Sequence, residues 1–115
     1  MFSEVKLFQV KPDKVDVFEA LIQQMLSFQK ECEGCHTIRY VKRSHVFDTI
    51  QQPPRPLKKI IKSVKYLSYW EFETINQYAE ATKVFFELFE KQTARCLLVP
   101  FDIYCGENQK IIDIS

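Results

Sequence analysis

The stretch YLSYWEFETINQYAEATKVFFELF, residues 66–89, changes its hydrophobic period partway along. Its opening residues place Tyr66 and Trp70 on one parity of a strand, because successive side chains of a strand point to opposite faces. From Ile75 onward, apolar residues recur at three- and four-residue steps, which is the period of an amphipathic helix. The stretch therefore predicts a strand that runs directly into a helix, with the chain's only tryptophan where the two meet.

Upstream of this stretch, the sequence predicts two strands with a helix between them. Residues 1–10 form a first strand with large side chains on both parities, which predicts that both of its faces are covered. A helix opens at Pro12 or Asp13, and Gly34 is expected to end it in the left-handed conformation. Residues 36–47 are predicted as the second strand. The helix carries one apolar stripe made of Val15, Phe18, Leu21, Ile22, Met25 and Phe28.

The remaining elements complete an alternating order. Residues 60–72 are predicted as the third strand, after a proline-rich segment that predicts an elongated hairpin with a stiffened tip. The following helix is expected to bend near Thr82 and to end near Arg95, and residues 96–105 are predicted as the fourth strand. The order β-α-β-β-α-β predicts an α+β, ferredoxin-like fold, in which both helices cover one face of an antiparallel sheet.

Length and composition indicate one domain in residues 1–106 and a tail in residues 107–115. The 115 residues are 46% hydrophobic and 27% charged, as in ordinary soluble domains. The tail contains three isoleucines and is expected to pack on a partner subunit. Glu4 and Lys6 interrupt any apolar run at the start, so no signal peptide is predicted, and no run approaches a membrane span. Four cysteines are expected to be free thiols in a reducing cytoplasm.

Two passages resemble the antibiotic-biosynthesis-monooxygenase-like family. CEGCHTIRY, residues 32–40, resembles the family's E-x-G-C-x-x-Y passage from helix to strand. Residues 69–89 resemble its strand-to-helix passage, with Trp70 on the family tryptophan, Thr82 on the small hydroxyl position and Phe85 on the family phenylalanine. The resemblance implies a homodimer with a dimeric α+β barrel. It also implies a monooxygenase or related enzyme that uses no cofactor and acts on a small phenolic or quinol-like substrate.

Departures from the family pattern keep a second class of function open. Histidines that family members often carry are absent, since Ala79 and Val84 stand in those places. The residues used by haem-degrading members are also absent near Phe8, Ala79 and Phe89, which argues against haem oxygenation. Tyr66 stands near the place of an asparagine used by the cofactor-independent quinol oxygenases. The alternative function is a non-catalytic dimer of the same fold that binds a small molecule or is purely structural.

The candidate site is a pocket between the sheet and the helices. Its aromatic lining is expected to include Tyr40, Tyr66, Trp70 and Tyr78, with Arg39 as a further ligand-binding residue. Trp70, Tyr66 and His36 are the candidates for catalysis, His36 because imidazole titrates near neutral pH. The predicted ligand is a small aromatic or an anionic molecule.

The prediction of an anionic ligand comes from a basic segment of the sequence. Between Arg39 and Lys65, eight basic residues stand against one acid, Asp48. This segment is either a solvated arm whose lysines protect a sheet edge, or a rim that attracts a carboxylated or phosphorylated ligand. Nucleic acid is disfavoured, because the glycine-containing pattern of RNA-recognition motifs is missing and the net charge is only +1.

The segment Cys32-Glu-Gly-Cys35-His36 has the spacing of half a zinc site and also resembles a redox CxxC motif. A second pair at short spacing is missing, since Cys96 and Cys105 are nine residues apart in a predicted strand. Short motifs are weak outside their structural context. The cysteines are therefore predicted to be structural, and no metal site is predicted.

Overall fold

The computed structural model describes residues 1–59, 62–110 and 112. Its helices and strands are β1 (Phe2–Val10), α1 (Val15–Gln29), β2 (Cys35–Lys42), β3 (His45–Val46), β4 (Arg55–Pro56), β5 (Val64–Phe72), α2 (Ile75–Cys96) and β6 (Asp102–Glu107). Four strands form one antiparallel sheet in the order β2-β5-β1-β6, and β3 and β4 form a separate two-stranded ribbon. This arrangement confirms the predicted ferredoxin-like α+β protomer.

Strict alternation in β1 and β5 separates an inner face of the sheet from an outer face. Even-numbered side chains of both strands are buried, and odd-numbered ones are half-buried or exposed. Phe8 packs on Phe18 of α1 with ring centroids 5.3 Å apart, and Trp70 packs on Phe85 of α2 at 5.6 Å. Both helices therefore cover the inner face, as this fold requires, and the odd-numbered outer face is left open.

Helix α2 differs from its prediction, because it is continuous from Ile75 to Cys96 and does not bend near Thr82. Its 22 residues contain neither proline nor glycine, so nothing breaks the hydrogen-bond ladder. A capping box fixes its start: the Thr74 side chain accepts from the Gln77 N–H and the Gln77 side chain accepts from the Thr74 N–H. The predicted start of the fourth strand at residue 96 is consequently wrong, because Cys96 belongs to α2 and β6 begins at Asp102.

Gly34 adopts the predicted left-handed conformation, with φ of +81°. Helix α1 itself ends at Gln29, so Gly34 lies in the turn that leads into β2. A Cβ at this position would clash with the side-chain amide of Gln77. Glycine is thus favoured by its backbone angle, and a larger side chain would in addition displace Gln77 from the α2 capping box.

The boundaries of the other predicted elements shift by a few residues. β2 ends at Lys42 rather than 47, although the Arg43 N–H still donates to the Lys65 carbonyl at 2.8 Å. The chain then enters the β3–β4 ribbon, beside which Arg55 Nε donates to Asp48 Oδ2 at 2.6 Å. The first two residues of the predicted third strand, 60 and 61, lie outside the described residues. Of the three isoleucines in the tail, the structure describes only Ile112, and its side chain is exposed. In the described part of the chain, neither helix is long and apolar enough to cross a membrane.

Candidate functional site

The inner face of the central strand β1 buries an ion pair. Glu4 and Lys6 are only 0% and 1% exposed, and Lys6 Nζ lies 3.1 Å from Glu4 Oε1. The sheet register places Glu4 between Trp70 of β5 and Cys105 of β6, and Lys6 between Ser68 and Ile103. Two opposite charges therefore lie at the centre of the sheet, beneath α2.

Four aromatic rings surround the Lys6 ammonium group. The ring centroids lie 4.0 Å from Nζ for Phe85, 5.3 Å for Phe86, and 5.8 Å for both Trp70 and Phe101. A cation over an aromatic face is attracted by the ring quadrupole, more strongly when water is excluded. We call these four rings the aromatic cage. It compensates part of the loss of hydration at Lys6.

The outer part of the aromatic cage is a stacked pair of rings. Phe86 and Phe101 lie nearly parallel, with centroids 6.0 Å apart and an interplanar angle of 13°. Both side chains are half-buried, whereas Phe85 and Trp70 are buried. Phe101 lies in the connection between α2 and β6, so one ring of the pair is carried by a loop. These two rings are therefore the more exposed members of the aromatic cage.

Tyr78 of α2 completes the polar cluster. Its hydroxyl donates a short hydrogen bond to Glu4 Oε2 and lies 3.5 Å from Cys105 Sγ. Burial, reinforced by the Glu4 charge, raises the pKa of Tyr78 well above its ordinary value, so the phenol stays protonated and remains a donor. Burial lowers the pKa of Lys6, and the neighbouring Glu4 carboxylate opposes that shift.

The hydrogen bonding of the pair is incomplete. Among the described residues, neither Glu4 Oε1 nor Lys6 Nζ has a hydrogen-bond partner, because their 3.1 Å contact lacks hydrogen-bond geometry. Replacing a buried ion pair by a well-packed apolar pair is often neutral or stabilising, because taking two charges out of water is costly. Stability alone does not account for two charges in this position. The cluster is therefore a candidate functional site.

The sequence-predicted site residues fall into three separate places. Trp70 and Tyr78 lie at the ion pair, where the Trp70 indole N–H donates to Cys35 Sγ at 3.3 Å. A second group, consisting of Arg39, Tyr40 and Tyr66, lines a groove of about 350 Å³ between α1 and β2. His36 lies apart from both, exposed, with Nε2 2.5 Å from Glu73 Oε2.

The second group of predicted residues is occupied by contacts within the chain. The Tyr66 hydroxyl donates to Glu19 Oε2 at 2.5 Å, and the Tyr40 hydroxyl donates to Gln29 Oε1 at 2.9 Å. Burial raises the pKa of both phenols above the ordinary range, so both remain donors. Hydrogen bonds from Lys42 and then Tyr66 lower the pKa of Glu19. These tyrosines anchor β2 and β5 to α1.

Sequence reasoning missed Glu4 and Lys6 as site residues. The signal that identifies them is their parity in FSEVKLFQV, where they share the even positions with Phe2, Phe8 and Val10. Charged residues on the parity of the core must be buried if that strand is central. Only the strand order, with β1 between β5 and β6, shows that they are.

The two cysteines of the CxxC segment have different hydrogen-bond partners. Cys32 Sγ donates to the Phe28 carbonyl at 3.5 Å, whereas Cys35 Sγ accepts from Trp70. Across residues 1–59, 62–110 and 112, no group of three or more His, Cys, Asp and Glu is arranged to hold a metal ion. Burial, with a smaller contribution from Cys35, raises the pKa of Cys32 to about 11.

Cys32 is expected to alkylate at least ~10-fold more slowly than the exposed Cys105 at pH 8, because the thiolate is the nucleophile. With its pKa near 11, only about 0.1% of Cys32 is ionised at that pH. Iodoacetamide labelling followed by peptide mass spectrometry measures both rates, and Cys105→Ser assigns the fast-reacting site. Equal rates would contradict the raised pKa of Cys32, and a faster reaction at Cys32 than at Cys105 would indicate an activated thiol and favour the redox hypothesis.

Solved structures establish the class of fold to which this protomer belongs. It has the fold of proteins that carry the name antibiotic biosynthesis monooxygenase, one of which matches with a TM-score of 0.68 and 9% identity over 96% of this chain and 100% of that one. No family model matches the chain, and no curated protein matches it in sequence.

Two further structures are similar along almost the whole chain. The Mycobacterium tuberculosis protein Rv0793 has a TM-score of 0.72 and 11% identity, over 97% of this chain and 98% of that one. The cofactor-independent oxygenase SnoaB from Streptomyces nogalater, in a single-residue variant, has a TM-score of 0.67 and 11% identity, over 96% and 95%. Identities this low demonstrate a shared fold, so an activity must be argued from the site.

Proposed function

We propose that the protein is a cofactor-independent monooxygenase that acts on a small phenolic or quinol-like substrate at the Glu4–Lys6 pair. The observation that carries the proposal is a buried, incompletely bonded ion pair inside an aromatic cage. Perturbed charged groups in protein interiors concentrate at functional sites. The shared fold with an oxygenase named as cofactor-independent supports the same reading.

In the proposed reaction, Glu4, Lys6 and Tyr78 each have one role. Glu4 accepts a proton from the activated carbon or hydroxyl of the substrate, as a carboxylate general base. The Lys6 ammonium then stabilises the resulting enolate or phenolate, and Tyr78 holds the Glu4 carboxylate in place. For a substrate methylene the balance is R₂CH₂ + O₂ → R₂C=O + H₂O: the carbon loses four electrons, and dioxygen supplies one oxygen to the product and one to water.

Substrate access requires the stacked rings to separate. Phe86 and Phe101 are the half-buried members of the aromatic cage, and Phe101 is carried by a loop. Opening this pair would expose Lys6 and leave Trp70 and Phe85 as an aromatic wall for a planar substrate.

Oxygen uptake by the wild-type protein with anthrone and with menadiol tests the proposal. We expect turnover of at least one of them above the rate of spontaneous oxidation, without added metal or flavin, and with one oxygen atom from dioxygen incorporated into the organic product. Glu4→Gln is expected to lower that rate by about 10²–10⁴-fold, the usual contribution of a general base. Absence of enzymatic uptake with both probes would contradict the oxygenase proposal.

A second candidate function is favoured by the packing of the inner face. Phe8 and Phe18 fill the space near α1, and Trp70 and Phe72 fill the space near α2, all at 0–1% exposure. A closed interior of this kind suits a non-catalytic dimer of the same fold. Failure of both oxygenase probes in a folded protein would leave this function as the better account.

We also propose that the protein forms a homodimer through the outer face. Two cross-strand rows share that face: Val41, Leu67 and Leu7, and beside them Tyr69, Val5 and Tyr104. Leu67, Val41 and Tyr104 are 40%, 51% and 65% exposed. A second copy would cover a patch that soluble monomers rarely leave open.

The domain boundary is proposed to lie near residue 106, with the tail on the partner subunit. Asn108 still belongs to its own sheet, since it accepts from Ser3 and donates to Glu71 Oε2 at 2.7 Å. The segment that crosses to a partner would therefore begin after Asn108.

A further inference from the structure

A groove of about 630 Å³ lies where the hairpin segment meets the C-terminal end of β1 and the adjoining ends of β2 and β5. It is distinct from the buried ion pair. Five cations line it, namely Lys42, Arg43, Lys59, Lys62 and Lys65. Among the described residues, Leu57, Val64 and Leu98 give it an apolar part as well. We call this site the basic groove.

Backbone hydrogen bonds hold the walls of the basic groove in place. The Leu98 N–H donates to the Gln9 carbonyl at 2.8 Å, which ties the segment after α2 to β1. The Arg43 N–H donates to the Lys65 carbonyl at 2.8 Å. The Leu57 N–H donates to the Ser44 carbonyl at 2.9 Å, which closes the base of the hairpin. The groove is thus formed by connected backbone rather than by side chains alone.

The charge of the basic groove is largely uncompensated. None of its described lining residues is acidic. Lys42 contacts Glu19 at 2.8 Å, and the only acid of the basic segment, Asp48, contacts Arg55 near the hairpin tip. Like charges gathered in a concave site raise the local concentration of anions.

We propose that the basic groove binds a small phosphorylated organic ligand. The phosphate would lie among the cations, which match its charge, and the organic part would lie on Leu57, Val64 and Leu98. The volume of about 630 Å³ lies within the usual range of small-molecule sites. A concave site with an apolar lining favours such a ligand over the extended backbone of a nucleic acid.

Titration with 1-naphthyl phosphate, followed by calorimetry, tests this proposal. We expect saturable binding to the wild type and a loss of about tenfold or more in affinity for Arg43→Glu/Lys62→Glu, because both reversals repel the phosphate. The milder Arg43→Gln/Lys62→Gln variant should lose less. Lys83→Glu/Lys91→Glu, which makes the same change in net charge on exposed positions of α2, should stay within about twofold of the wild type.

Three outcomes would overturn the proposal. Absence of saturable binding at millimolar probe would exclude the site. Equal weakening in the α2 control would show that only net charge matters. Displacement of the probe by a single-stranded oligonucleotide that itself binds more tightly would assign the groove to nucleic acid instead. Uncharged 1-naphthol is the matched control, and we expect it to bind at least tenfold more weakly than its phosphate.

Discussion

Lys6→Met is expected to lower the free energy of unfolding by about 3–5 kcal/mol, the range found when one partner of a buried ion pair is removed. Methionine nearly matches the length of the lysine stem and tolerates the surrounding rings, so lost packing contributes little. The loss comes from Glu4, which keeps one hydrogen bond from Tyr78 but no opposite charge. Equilibrium urea denaturation measures the change.

Two controls separate this electrostatic effect from other causes. Glu4→Gln/Lys6→Met removes both charges and is expected to recover most of the stability, because no unpaired charge remains. Lys83→Met, at an exposed position of α2, is expected to change the unfolding free energy by less than about 0.5 kcal/mol. A Lys6→Met variant as stable as the wild type would show that Lys6 reaches water in solution.

The wild-type protein is expected to elute as a two-fold dimer of about 27 kDa, twice the 13.7 kDa of one chain. Covering the outer face should bury at least ~1,200 Å², the lower limit for specific interfaces. Leu67→Lys should weaken the dimer by at least ~100-fold, because two-fold symmetry introduces the unpaired charge twice into one interface. Light scattering coupled to gel filtration at micromolar concentration measures both proteins.

Leu88→Lys is the matched control for the dimer, since Leu88 is 52% exposed on α2 and lies off the outer face. It should leave the mass unchanged. A wild-type monomer near 13.7 kDa would contradict the homodimer and would leave the outer face without its proposed cover. A dimer that persists in Leu67→Lys and dissociates in Leu88→Lys would show that the interface lies on the helices and not on the outer face of the sheet.

The order of elements was predictable because each depends on local periodicity. The alternation that ends at Phe72 and the three- and four-residue spacing after Ile75 both appear in the structure. The left-handed conformation of Gly34 was predictable from its residue type, because a turn position with positive φ favours glycine. The bend near Thr82 was wrong because one hydroxyl residue does not break a helix that has a capping box and no proline.

The candidate site was less predictable because it depends on pairing between distant residues. Trp70 was identified from its sequence position, but the site around it depends on Glu4, which pairs with Trp70 on one side and with Cys105 on the other. Glu4 and Cys105 come from strands at opposite ends of the chain. His36 and Tyr66 were predicted as catalytic candidates from their side-chain chemistry alone. In the structure His36 contacts Glu73, and Tyr66 donates to Glu19. Composition reveals which groups are present, and only the register shows which of them meet.

The most direct test of the central claim compares turnover with stability in Glu4→Gln/Lys6→Met. The claim is that the buried pair serves chemistry rather than folding. We predict an unfolding free energy within about 1 kcal/mol of the wild type, together with a fall of about 10²-fold or more in oxygen uptake with anthrone or menadiol. Unchanged uptake in a stably folded double variant would contradict the claim.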